Sequence, residues 1–222
     1  MIGSLGYGAR RAVRNAGMAG FFVISAAGVA AEPITVAALG DSLTQGYGLA
    51  PEDGFVPQLQ AWLDAQGAEV TVINAGVSGD TTAGGLARVD WTLTDEVDAM
   101  IVTLGGNDLL RGIDPAVSRA NLDGILSTAE AEEVEVLLIG MRAASNYGQD
   151  YKTAFDAMYP ELADAYGTLY LPSFFAGLEL GEDISEAQSL MQPDGIHPNA
   201  EGVALIVGAV GPLVLELIER AE

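Results

Sequence analysis

Short apolar runs alternate with longer amphipathic stretches along this chain, and that alternation restricts the fold more than any other feature. Runs rich in β-branched residues mark strands at Ile34 to Leu39, Val70 to Asn74, Ala99 to Leu104, Val134 to Ile139 and Leu169 to Leu171. Most of them are apolar at successive rather than alternate positions, as strands covered on both faces are. Between them lie helix-period stretches at Phe55 to Gln66, Thr82 to Trp91, Pro115 to Ala131 and Tyr151 to Tyr166, and a last one, Ala200 to Arg220, closes the chain. A regular βα succession of this kind predicts an α/β fold with a parallel sheet. Half of the 222 residues are hydrophobic, enough for the core of one such domain.

Residues 1–31 are unlike the rest. Arg10, Arg11 and Arg14 precede an apolar, small-residue stretch from Ala16 to Ala30, and no acidic residue occurs before Glu32. This is the pattern of a secretory signal peptide, with Val29, Ala30 and Ala31 offering small residues for cleavage just before Glu32. The apolar stretch is shorter than the ~20 residues a membrane span needs. The expected layout is a signal peptide over 1–31 and a single domain over 32–222, periplasmic or secreted, with no stable membrane insertion after cleavage.

Charge and composition remove several function classes. Nine Lys and Arg against 31 Asp and Glu give a net charge of −22, which repels nucleic acid and anionic membrane surfaces. Without cysteine there are no disulfides, thiol nucleophiles or thiolate metal sites. A single histidine excludes multi-imidazole zinc sites. No Asp-rich loop has the EF-hand spacing, so no metal and no cofactor is expected.

In open α/β sheets, ligands bind beyond the carboxyl ends of the strands. The loops that follow the first three strands carry Gly40, Asp41 and Ser42, then Asn74 to Asp80, then Gly105, Gly106, Asn107 and Asp108. The one histidine, His197, stands much later, in the run Asp194, Gly195, Ile196, His197, Pro198, Asn199. A serine hydroxyl acts as a nucleophile when a base accepts its proton, a third group orients that base, and donors hold the oxyanion. One candidate exists for each role: Ser42, His197, Asp194, the backbone N–H groups of Ser42 and Gly79, and the Asn107 side-chain amide. Each residue also has an ordinary structural use. Asp194 fits a turn, Asn199 fits the N-cap of the last helix, and Gly-Asp-Ser is common in turns. The glycines from Gly76 to Gly85 do not make a phosphate loop, because the Gly-Lys-Ser/Thr ending is missing.

Taken in order, the blocks Gly40-Asp41-Ser42-Leu43, Ser78-Gly79-Asp80, Gly105-Gly106-Asn107-Asp108 and Asp194-Gly195-Ile196-His197-Pro198 resemble those of the GDSL, or SGNH, hydrolase superfamily. Further similarity points to its bacterial secreted thioesterase I, arylesterase and lysophospholipase subgroup. It rests on Asn74-Ala75, Gly79-Asp80-Thr81-Thr82, Gly85-Leu86-Ala87-Arg88, Leu110-Arg111-Gly112 and Asn146-Tyr147-Gly148 with Tyr151. Thr44, where a serine is frequent, and Gly76 depart from the pattern. The resemblance implies a three-layer α/β/α sandwich around a mainly parallel sheet of about five strands, flavodoxin-like in plan. It implies a Ser42, His197 and Asp194 triad with an oxyanion hole from Ser42, Gly79 and Asn107. It also implies a small-molecule ester, thioester or lysophospholipid as substrate, and a monomer. Leu109, Leu110 and Tyr147 are expected at the substrate. Two alternatives stay open here: an acetyl-carbohydrate esterase of the same superfamily, and a secreted ligand-binding protein without chemistry.

Overall fold

The computed structural model describes residues 33–178 and 188–222; the expected signal peptide lies outside them. Strands β1 (Ile34–Gly40), β2 (Val70–Gly76), β3 (Ala99–Thr103), β4 (Glu135–Ile139) and β5 (Leu169–Leu171) form one sheet in the order β2-β1-β3-β4-β5. Every pairing is parallel. This is the flavodoxin-like order, whose crevice opens between β1 and β3, where the winding reverses. The register sets the site: Gly40 stands opposite Gly76 on one side and Thr103 on the other. The carboxyl ends of three strands therefore come level, and the loops they launch emerge side by side.

β3 is buried along its whole length, and β4 along all but its first residue. β2 departs from that rule. It is an edge strand, with Val70 and Val72 buried and Ile73 41% exposed, and among the described residues no further strand pairs with its outer edge. The sheet is flanked by α2 (Phe55–Gln66) and α8 (Ala200–Ala221), which pack together, and by α3 (Thr82–Leu86), α6 (Pro115–Ala131) and α7 (Gln149–Tyr166), of which α6 contacts both others. In α8 the buried residues Val203, Ile206, Val207, Val210, Val214, Leu217 and Ile218 recur every three or four positions, a single apolar stripe. Its N-cap is Asn199, whose side chain accepts the Gly202 N–H at 3.0 Å. By length and composition α8 is long and apolar enough to cross a membrane, yet half of its most apolar window is buried, as in a core helix.

The helix expected over Thr82 to Trp91 is two pieces, α3 and α4 (Val89–Thr92), broken at Ala87 and Arg88. Gly84 and Gly85 weaken helix propagation, and the Arg88 side chain is drawn back onto the loops behind it. Two further short helices, α1 (Ser42–Gln45) and α5 (Gly106–Arg111), occupy stretches that the sequence marks as loops. Neither is long enough to show a period.

Asp108, on α5, is fully buried and joins three helices. It accepts the Thr82 N–H at 2.8 Å, the Thr82 hydroxyl at 2.6 Å and the Ser118 hydroxyl at 2.8 Å. Asp108→Ala leaves those donors without their acceptor in the interior, and the expected loss is about 3 kcal/mol or more. Thermal melting of the variant should show Tm lowered by roughly 6 °C or more; an unchanged Tm would mean that the three helices hold together without this carboxylate.

Candidate active site

The turn after β1 has a physical reason for each of its residues. A Cβ at position 40 would lie 2.0 Å from Thr44 Oγ1 and 3.0 Å from the Thr103 carbonyl oxygen, so only glycine lets the chain pass. Asp41 is the N-cap of α1, its Oδ1 accepting the Leu43 N–H at 3.0 Å. Ser42 is the first helical residue, where a backbone N–H has no partner within the helix. Leu43 and Thr44 are buried and anchor the turn from below.

His197 comes from the far end of the chain, held by a tight loop. The Gln192 N–H donates to the His197 carbonyl at 2.7 Å, and the Gly195 N–H to the Gln192 carbonyl at 2.9 Å. The Gln192 side-chain amide donates to the carbonyls of Pro198 at 3.0 Å and Tyr47 at 2.8 Å, which ties this loop to the one that follows Ser42. Asp194 Oδ1 accepts the N–H groups of Ile196 (2.9 Å) and His197 (3.1 Å), so the carboxylate is fixed before it meets the ring. Its Oδ2 lies 2.7 Å from His197 Nδ1, and His197 Nε2 lies 2.8 Å from Ser42 Oγ. The Tyr47 ring packs against the imidazole, centroids 4.8 Å apart. The hydrogen bond from His197, with those from the two backbone N–H groups, holds the Asp194 carboxyl down at about 2. An ionised Asp194 keeps a proton on Nδ1 and leaves Nε2 free to accept one from the serine.

The second and third loops supply the opposite wall. Gly79 has a left-handed φ of +85°, a conformation natural to glycine. Its carbonyl accepts Arg111 Nη2 at 2.8 Å. Arg88 fastens the loop from beneath, donating from Nε to Asp80 Oδ2 (2.7 Å), from Nη1 to the Ala75 carbonyl (2.7 Å) and from Nη2 to the Gly40 carbonyl (2.8 Å). Asn107, the second residue of α5, donates from Nδ2 to Asp41 Oδ2 at 3.1 Å. Ser42, Gly79, Asn107 and His197 all line one cavity of about 540 Å³, a volume usual for small-molecule sites.

Leu109 and Leu110 line this cavity as expected from the sequence. Tyr147 does not. Its hydroxyl donates to the Leu110 carbonyl at 3.3 Å and its ring packs on Tyr151, so it stands behind the wall rather than in it. The wall is completed instead by Leu43, Tyr47, Met141, Arg142, Ser173 and Phe175. The last four follow β4 and β5, so the rule that ligands meet the carboxyl ends of strands, extended to all five, would have found them.

A flavodoxin-like parallel sheet that gathers these four sequence blocks along its carboxyl edge is the arrangement of the SGNH hydrolases. The chain belongs to the GDSL-like lipase/acylhydrolase family, which it matches over residues 38–205, and is a carboxylic-ester hydrolase. It is 38% identical to esterase TesA of Pseudomonas aeruginosa, over 83% of this chain and 89% of the relative. It is 37% identical to thioesterase 1/protease 1/lysophospholipase L1 of Escherichia coli, over 80% and 81%. Among solved structures, the SGNH-hydrolase family esterase AlinE4 superposes with a TM-score of 0.68 at 40% identity, over 83% of this chain and 96% of that one.

Proposed function

We propose that this protein is an exported serine esterase, with residues 1–31 its signal peptide and 32–222 its one enzyme domain, which hydrolyses carboxylic esters and thioesters through an acyl ester on Ser42. One observation carries the reading: Asp194, His197 and Ser42 lie in hydrogen-bonded series, at 2.7 and 2.8 Å, with His197 and Ser42 on the wall of a largely apolar cavity. His197 Nε2 takes the hydroxyl proton as Ser42 Oγ attacks the acyl carbon. The carbonyl oxygen gains negative charge and is held by the Ser42 N–H, the Gly79 N–H and the Asn107 amide. As the tetrahedral intermediate collapses, His197 returns the proton to the departing alcohol or thiol. Water then repeats the sequence on the acyl ester, giving a carboxylic acid and free Ser42. Asp194 stays ionised throughout and stabilises the imidazolium that forms twice in each cycle.

Leu43, Leu109, Leu110, Met141 and Phe175 give the cavity an apolar lining, which suits an acyl chain better than a sugar. That favours acyl esters, thioesters and lysophospholipids over acetylated carbohydrate. The Escherichia coli relative carries both thioesterase and lysophospholipase in its name, in keeping with this range. An exported enzyme meets lysophospholipids and exogenous esters rather than cytoplasmic acyl carriers. No cofactor or metal enters the reaction, and the working unit is a monomer.

The test is a fluorescent organophosphonate applied to the purified mature protein and to Ser42→Ala, with parallel rates on nitrophenyl esters, acyl thioesters and lysophospholipid. The wild type should label once, on the peptide that contains Ser42, and the variant not at all. A wild type that resists labelling would favour a mechanism without a serine nucleophile.

A further inference from the structure

The mechanism uses Ser42 from the Gly-Asp-Ser-Leu turn but leaves the residue beside it without a task. Asp41 is 1% exposed, an ionisable carboxyl in the interior a single residue from the nucleophile. Capping α1 occupies only Oδ1, through the Leu43 N–H at 3.0 Å, and a serine or asparagine would cap as well. The other oxygen, Oδ2, accepts Asn107 Nδ2 at 3.1 Å, across 66 residues of sequence. A primary amide nitrogen carries two hydrogens. One is committed to Asp41, and the other is left for the oxygen of a substrate in the cavity that Asn107 lines.

We infer that Asp41 is a positioning residue for the oxyanion hole: its two carboxylate oxygens fix the Asn107 amide and the first turn of α1 together, aiming donors from β1 and β3 at one point. This rests on the Ser42 mechanism above. Two acceptors on one rigid carboxylate are what the task requires. An asparagine at position 41 offers one acceptor and one donor, so either the Leu43 N–H or the Asn107 amide loses its partner. Protonation of Asp41 weakens the same pair of bonds, since it removes the charge and adds a hydroxyl hydrogen to one of the two oxygens. Burial pushes this carboxyl up to about 6, against the lowering by the Leu43 N–H, the Asn107 amide and His197. The titratable groups that face Asp41 are His197 from the loop before α8, which favours its ionised form, Asp108 on α5, which opposes it, and Tyr159 on α7. As pH falls through that value, the Asn107 amide loses its charged anchor.

The experiment is a double-mutant cycle on kcat and KM with a soluble nitrophenyl ester, using Asp41→Asn, Asn107→Ala and the pair. In the wild-type background Asp41→Asn should lower kcat by about tenfold to a hundredfold with KM within about twofold, a loss no larger than that of removing an oxyanion donor outright. In the Asn107→Ala background the same change should cost less than about twofold, because Asp41 then has no amide to hold. Equal losses in both backgrounds overturn the proposal. Should Asp41→Asn not fold, the acid limb of kcat reads the same coupling without altering position 41. That limb should be steeper in the wild type than in Asn107→Ala, where Asp41 has no amide to release; identical limbs overturn it. Phosphonate labelling separates the two failures, since a wild type that labels at Ser42 with additive losses removes only the role of Asp41. Absence of labelling removes the mechanism beneath it as well.

Discussion

Replacing His197 with alanine will lower kcat by about four orders of magnitude or more, the scale of removing the base from a serine hydrolase. The size of the effect follows from the chain having no other histidine. No second imidazole exists within the sequence to approach Ser42 Oγ, and the carboxylate at Asp194 points at Nδ1, on the far side of the ring. The fold should survive, since the histidine loop is fastened by Gln192 through backbone atoms rather than by the ring. A far-ultraviolet circular dichroism spectrum and melting curve close to wild type, with turnover at the limit of detection, is the expected pair of results. Turnover within tenfold of wild type would show that something other than imidazole accepts the serine proton.

Asn107→Ala should lower kcat by about a hundredfold to a thousandfold, equivalent to ~2.7 to 4 kcal/mol of transition-state stabilisation, with KM within about twofold. The asymmetry arises because the amide gains most of its interaction when the carbonyl oxygen becomes an oxyanion, not when substrate first binds. Asn107 also donates to Asp41, so truncation leaves a buried carboxylate oxygen short of one donor, and a modest fall in Tm should accompany the kinetic loss. Steady-state kinetics over a series of nitrophenyl esters checks both parts. A variant that raises KM and keeps kcat would place Asn107 in substrate binding instead.

Much of this architecture is visible in the chain because parallel strands buried on both faces are apolar at successive positions, as Val36 to Leu39 of β1, Ala99 to Val102 of β3 and Val136 to Ile139 of β4 are. Their ends also name the loops that matter, since Gly40, Gly76 and Thr103 share one register level. Ser42, Asp194 and His197 were accessible for a different reason: each belongs to a short, chemically distinctive run. Contacts made between loops left no such trace. Gln192 reaches Tyr47 across 145 residues, and Arg88 reaches the Gly40 carbonyl across 48. Both bonds end on backbone carbonyls, which every residue possesses, so the side-chain types at the accepting end carry no hint of them. The break between α3 and α4 is of the same kind, caused by where Arg88 is pulled. An aromatic residue near a site can line it or brace it, and for Tyr147 the sequence does not show its contacts with the Leu110 carbonyl and the Tyr151 ring.

The hydrogen bond between Ser42 and His197 spans 155 residues, nearly the full length of the domain. Its partners lie near opposite ends of the order in which a ribosome makes them. A growing chain, or one threaded unfolded through a translocation pore, holds its serine long before its histidine, and a serine without a base is inert. The loop that carries Asp194 and His197 leads directly into Asn199, the N-cap of α8. On the mechanism proposed above, hydrolytic activity therefore waits for the C-terminal part of the domain to be made.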